Sequence, residues 1–212
     1  MPTLTLLLLA AGASSRMRAP KIHLPLGDTT LLGHALRTAA ALGHPIIIVS
    51  GKYAIELADL PTVDVPVRVV HNPQWAEGMS GSIVTGVRAA GAETNYLVLL
   101  ADQPTVTPDF LSGLLAVAER HPTSPIATNY YPGTGDRAPA SNSKETPVKL
   151  GVPAYFPAAY HETLLALTGP HGARHLLREP STAALHYTPE APPVDIDTPA
   201  EYQRFLTDHA GD

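Results

Sequence analysis

The segment LLLLAAGASSRMRAPK, Leu6 to Lys21, decides how this chain is read. It opens as an unbroken apolar run, turns at one glycine, Gly12, and ends in three cations, Arg16, Arg18 and Lys21. A run without a polar face is what a central parallel strand needs when helices cover both sides of its sheet. In Ala10-Ala11-Gly12-Ala13 no side chain obstructs the backbone, so its N–H groups are open to a base or a phosphate. Arg16 and Lys21 add mobile positive charge suited to a polyphosphate. The segment contains neither G-x-G-x-x-G nor G-x-x-x-x-G-K-[ST], so the dinucleotide fingerprint and the phosphate loop are both absent.

The pattern continues on either side. TLTLLLLA (3–10), PIIIVSG (45–51), VPVRVVHN (65–72) and YLVLLADQP (96–104) read as strands, the fourth ending on Asp102. LLGHALRTAAAL (31–42), SGSIVTGVRAAG (80–91, serines at its start) and TPDFLSGLLAVAERH (107–121) read as helices, with Thr107 as N-cap and Pro108 in the first turn. This alternation predicts an α/β sandwich around a mainly parallel sheet, with ligands bound outside the carboxyl ends of its strands, where Gly12 and Asp102 lie. The second half is less regular. YYPGTGDRAPASNSKETPVK (130–149) reads as an exposed loop, LGVPAYF (150–156) as a strand, and AAYHETLLAL (158–167) and GARHLLRE (172–179) as helices. VDID (194–197) leads into a last helix near Thr198-Pro199. No repeat or boundary divides residues 1–212, so one domain is expected.

A formal charge of -5 sets the whole surface against nucleic acid and anionic membrane, which makes the cationic loop a local site. The absence of cysteine excludes disulfides, thiolate metal sites and cysteine nucleophiles. The N-terminal apolar run is short and its arginines follow it, the reverse of an export signal, and no stretch reaches the ~20 apolar residues of a membrane span. A soluble, cytoplasmic protein is expected.

LAAGASSRMRAPK resembles L-A-A-G-x-S-x-R-M-G-x-x-K, the signature of nucleotidyltransferases that act on the molybdenum cofactor and on sugar phosphates. NPQWAEGMSGSI (72–83) is similar to N-P-x-W-x-x-G-M-S-S-S of the molybdenum cofactor cytidylyltransferase-like branch. LLADQPTVTPDFL (99–111), GARHLL (172–177) and DIDTPAEY (195–202) follow in family order. On these motifs the chain is identified as a member of the MobA/MocA-like NTP transferases. The resemblance implies a three-layer sandwich with a mixed, mainly parallel sheet of the Rossmann-like nucleotide-diphospho-sugar transferase type. It implies transfer of an NMP, CMP foremost, from an NTP to a phosphate-bearing acceptor of the molybdopterin kind, with a molybdoenzyme or its delivery chaperone as a further partner.

The implied roles are specific. Ala10, Ala11 and Gly12 hold the nucleotide through their backbone, Ser80, Gly81 and Ser82 lie near base and ribose, and Arg16 and Lys21 grip the triphosphate. Asp102 binds Mg²⁺, helped by an aspartate of the DID segment. The chemistry of the residues agrees, because Mg²⁺ takes a few carboxylate oxygens and keeps the rest of its shell for phosphate and water. Asp195 and Asp197 are two apart and share a face in an extended chain, so either could be the second ligand. Related transferases favour Asp197, which competes there with N-capping of the last helix.

Some positions depart from the family pattern. Arg18 replaces a frequent glycine, Gly81 a serine and Pro170 an acidic residue, and Gly151-Val152-Pro153 lacks the histidine of G-H-P. These changes fall mostly on the acceptor side, so a sugar-phosphate or polyol-phosphate acceptor stays open, as does a nucleotide-binding delivery protein without turnover. His171 and His175 read as surface histidines, Trp75 as packing beneath its own loop, and Tyr130-Tyr131 as strand packing.

Overall fold

The computed structural model describes residues 3–17, 19–130 and 149–209. The stretch 131–148, most of the expected loop, and Arg18 lie outside the described residues. The strands are β1 (Thr3–Ala10), β2 (Pro25–Leu26), β3 (Thr29–Thr30), β4 (Ile46–Ser50), β5 (Val67–His71), β6 (Thr94–Leu100), β7 (Ile126–Asn129), β8 (Leu150–Phe156) and β9 (Leu185–Tyr187). The helices are α1 (Leu31–Ala40), α2 (Met79–Ala90), α3 (Pro108–Arg120), α4 (His161–Leu165), α5 (Arg174–Arg178) and α6 (Pro199–Asp208).

Among the described residues, seven strands form one sheet in the order β5-β4-β1-β6-β8-β7-β9, and β2 and β3 make a separate small hairpin. β1 pairs in parallel with both β4 and β6, and β4 with β5. β8 is antiparallel to both β6 and β7, so the sheet is mixed but mainly parallel, as expected. Side chains of β1 alternate between two cores. Leu6, Leu8 and Ala10 meet Leu32 and Leu36 of α1 and Leu111 and Leu114 of α3, while Leu7 and Leu9 meet Ile83 and Val87 of α2. With both faces covered, each buried leucine gains about 1.5–3 kcal/mol, and the one buried polar side chain of the strand, Thr5, is satisfied by the Thr94 hydroxyl at 3.0 Å.

Thr107 caps α3, accepting from the Phe110 N–H at 3.1 Å, as the sequence predicts. Other boundaries differ. β6 stops at Leu100, which leaves Asp102 in the turn beyond it. The helix expected over 158–167 is a single 3-10 turn, Ala158–Tyr160, followed by the short α4. No serine caps α2; Gly78 does, at φ +114°, and a Cβ there would lie 2.3 Å from Pro170 Cα. That close approach, together with its positive φ, requires glycine.

A third core carries the site. Ile196, Tyr202 and Phe205 pack with Leu31, and Met17, Leu24 and Leu26 lie against them. The Tyr202 hydroxyl donates to the Pro25 carbonyl at 2.5 Å. The C-terminal segment is thereby fastened to the loop that follows β1. No helix among the described residues is long and apolar enough to cross a membrane.

Candidate active site

The cleft opens at the carboxyl ends of β1 and β6 and has a volume of about 480 Å³. That is the size of an ordinary small-molecule site. Ala10 to Ala13, Arg16 and Lys21 form one wall. Asp102, Asp195 and Asp197 line it from the turn after β6 and the segment before α6, and Tyr130, Lys149, Arg174 and Trp75 complete it.

Lys21 is placed by its neighbours in the chain. Its own N–H donates to Ser14 Oγ at 3.0 Å, closing the loop after β1, and the next residue, Ile22, is buried in the core. Its ammonium donates to Asp102 Oδ2 and, at 2.9 Å, to Asp197 Oδ1. Arg16 reaches the other oxygen of Asp197 at 2.8 Å. Burial pulls the Lys21 pKa down, but Asp102 and Asp197 outweigh it and hold the value above the ordinary lysine range. Burial likewise pushes Asp197 up, and Lys21 and Arg16 more than reverse that, leaving its carboxyl below the usual range.

The aspartates converge because the segment 195–197 runs beside the end of β6. The Ile196 N–H donates to the Asp102 carbonyl at 2.9 Å, and the fully buried Ile196 side chain turns inward. Asp195 and Asp197, on either side of it, both face the cleft. Capping does not engage Asp197. Thr198 caps α6 by accepting from the Glu201 N–H at 3.2 Å, and Glu201 accepts the N–H groups of Thr198 and Asp197 at 2.7 and 3.0 Å. This reciprocal capping box leaves the Asp197 carboxylate to the cations.

Asp195 has different partners. Gln103 Nε2 donates to Asp195 Oδ1 at 2.8 Å and to the Tyr130 hydroxyl oxygen at 2.7 Å, and that hydroxyl donates to the Val152 carbonyl at 2.5 Å. Burial raises the Asp195 pKa, and the charges of Asp102 and Asp197 add to the rise against Gln103 and Lys21. Burial, helped by Asp195, also pushes Tyr130 up. Tyr130, expected to pack as strand, is part of the cleft wall.

The donor set fits a hard divalent cation. Asp102 Oδ1 is buried and has no hydrogen-bond partner, while Asp102 Oδ2 and Asp197 Oδ1 already meet around one positive charge, the Lys21 ammonium. Among the described residues no three acidic or imidazole groups form a ready-made metal cluster. Two carboxylates suffice for Mg²⁺, which is commonly held by one or two and completes its shell with phosphate and water.

The serine triplet divides. Ser82 lines the cleft and accepts from Asn72 Nδ2 at 3.1 Å. Ser80 is buried, donates to the Thr168 carbonyl at 3.0 Å, and ties the start of α2 to the loop before α5. Neither Ser80 nor Gly81 is on the cleft wall; on a helix, consecutive residues point in different directions. Reasoning from sequence also passed over Gln103, Lys149 and Arg174, although Gln103 follows Asp102 directly and Arg174 lies inside the quoted GARHLL.

A mixed sheet of this order, with cations and carboxylates gathered at the carboxyl ends of its strands, has the architecture of the nucleotide-diphospho-sugar transferases. Residues 6–185 match the model of the MobA-like NTP transferase domain, and the chain belongs to that family. It is 30% identical over 213 residues to nicotine blue oxidoreductase of Paenarthrobacter nicotinovorans, covering 97% of this chain and 98% of the relative. It is 32% identical over 109 residues to molybdenum cofactor cytidylyltransferase of Escherichia coli K12, covering 51% of this chain and 56% of that one. The crystal structure of Rv0371c from Mycobacterium tuberculosis H37Rv superposes with a TM-score of 0.76 at 25% identity, over 97% of this chain and 98% of the other.

Proposed function

We propose that this protein is a Mg²⁺-dependent nucleotidyltransferase that moves an NMP, CMP first among them, from an NTP to the phosphate of a molybdopterin-type acceptor, releasing pyrophosphate. The observation that carries it is the meeting of Lys21, Asp102 and Asp197 beside the open backbone of Gly12, where a Cβ would touch nothing within 4 Å. Support for the acceptor comes from the NPQWAEGMSGSI motif and from the likeness, over half the chain, to the cytidylyltransferase of Escherichia coli.

The residues account for the chemistry as follows. The acceptor's phosphate monoester, with a second pKa of about 6, is largely dianionic at neutral pH and attacks the α-phosphorus without a general base. Arg16 and Lys21 bind the β- and γ-phosphates and stabilise the charge that leaves with pyrophosphate. Asp102 and Asp197 would hold Mg²⁺, which when bound neutralises negative charge at the α-phosphate. The backbone of Ala10 to Gly12 orients the nucleoside, and alignment supplies the remainder of the rate.

The test is pyrophosphate release, crossing CTP, GTP, ATP and UTP against molybdenum cofactor and a panel of sugar and polyol phosphates. Turnover with CTP and the pterin supports the proposal. Turnover only with a sugar or polyol phosphate moves the acceptor to that class, in line with the altered Gly151-Val152-Pro153. The full-length likeness to an oxidoreductase adds a reduced nicotinamide dinucleotide to the panel. Its oxidation in the absence of any nucleotidyl transfer would overturn the reading.

A further inference from the structure

Trp75 is the only tryptophan of the chain. It begins a 3-10 turn, Trp75–Glu77, between β5 and α2, and is half-buried on the wall of the cleft. A tryptophan kept for packing joins a core, yet Trp75 belongs to none of the three hydrophobic clusters. No aromatic ring among the described residues pairs with it either. Trp75 thus lines the cleft with no protein ring among the described residues against it.

Its position selects the ligand part it would meet. A Cβ on Gly51 would come within 2.7 Å of Trp75 Cβ and 2.5 Å of the Ala11 carbonyl oxygen. The bare glycine therefore lets the Trp75 turn close directly on the small-residue loop after β1. Tyr130, just after β7, and Lys149 and Gly151, at the start of β8, line the cleft from the other elements. With Arg16 and Lys21 placed to grip phosphate, the nucleoside end of the triphosphate is left to the wall formed by Ala11 and Trp75.

We propose that the Trp75 indole is the stacking face for the nucleobase of the NTP. The inference rests on the nucleotidyltransferase reading and adds the residue that holds the base. Stacking is tolerant of base identity, because every base presents a π face, so Trp75 would contribute affinity while hydrogen bonds elsewhere choose between CTP and GTP.

The indole is its own probe. The unmodified protein is titrated with CTP, with GTP and with inorganic triphosphate, following tryptophan fluorescence and calorimetry together. Quenching that saturates with either nucleotide and is absent with inorganic triphosphate is expected. Nucleotide binding seen by calorimetry with unchanged fluorescence overturns the stacking role alone, as does equal quenching by inorganic triphosphate. Absence of nucleotide binding overturns the nucleotidyltransferase reading as well. Trp75→Ala should weaken nucleotide binding by about 5- to 100-fold, with inorganic triphosphate affinity unchanged, and Trp75→Phe should restore part of it. Equal affinity of wild type and Trp75→Ala for nucleotide would also refute the proposal.

Discussion

The Lys21 ammonium and the Asp197 carboxylate meet at 2.9 Å although 176 residues of chain separate them. The contact joins the first motif of the sequence to the last. It exists because Met17, Leu24, Ile196 and Tyr202 share one small core, so the loop after β1 and the segment before α6 are fixed together. In this arrangement Lys21 stands between the two carboxylates that would bind a divalent ion.

Lys21 and the metal should therefore compete. Lys21→Ala is expected to bind Mn²⁺ more tightly than wild type in nucleotide-free protein, read by calorimetry, while its rate of transfer falls by about 100-fold or more. Because Lys21 and Asp102 are each only 14% exposed, loss of the lysine leaves the Asp102 carboxylate without a cation, while Asp197 keeps Arg16, and should cost on the order of 3 kcal/mol of stability. Added Mg²⁺ should restore much of the lost melting temperature. A variant that melts like wild type and ignores the ion would contradict this account.

Asp102→Asn tests the other half of the pair. Turnover should drop by about 10³-fold, with nucleotide binding measured in EDTA largely kept. If pyrophosphate release continues near the wild-type rate, Asp102 is not part of the machinery and the site must be redrawn.

Asp195 and Asp197 should separate by pH. The folded pKa of Asp197 is lowered, so its stabilising contribution is present above the unfolded value of about 3.8 and is lost as pH falls through the folded value. Asp195 is raised, so ionising it costs stability once pH climbs from that same unfolded value through its higher folded one. Asp195→Asn should thus be more stable than wild type at neutral pH, with the difference vanishing below about pH 4. Asp197→Asn should be less stable at neutral pH. Melting curves across the acid range decide it, and the same ordering at neutral pH for both variants would defeat the assignment.

Gly78→Ala should cost more than about 1 kcal/mol, because alanine is strained at φ +114° and its Cβ meets the Pro170 backbone. The loop before α5 lines the cleft through Pro170 and His171 and leads directly into Arg174, so affinity for phosphate-bearing ligands should fall with stability. Thermal denaturation and calorimetry on the same variant measure both, and a melting temperature equal to wild type would show that the two segments are not held as tightly as described.

Much of the parallel half was legible from sequence. β1, β4, β5 and β6 are apolar runs of the right length between turn residues, and α3 carries its cap, Thr107, in sequence. The antiparallel side was less so. β7, four residues, and β9, three, are too short to show any period, and nothing in LGVPAYF states that β8 runs against its neighbours. Gln103 stood in plain view beside Asp102, but its bond to Asp195 spans 92 residues and leaves no trace in either segment.

By itself the sequence determined the order of elements, the bare loop after the first strand, and which cations and carboxylates were available, because each depends on neighbouring residues. Only the tertiary structure decided that Lys21 lies between Asp102 and Asp197, that Thr198 frees Asp197 from capping, and that Ser80 faces away while Ser82 lines the cleft. Those outcomes depend on side-chain direction and on packing between distant segments, which are settled when buried surfaces such as Ile196 find their place in the core.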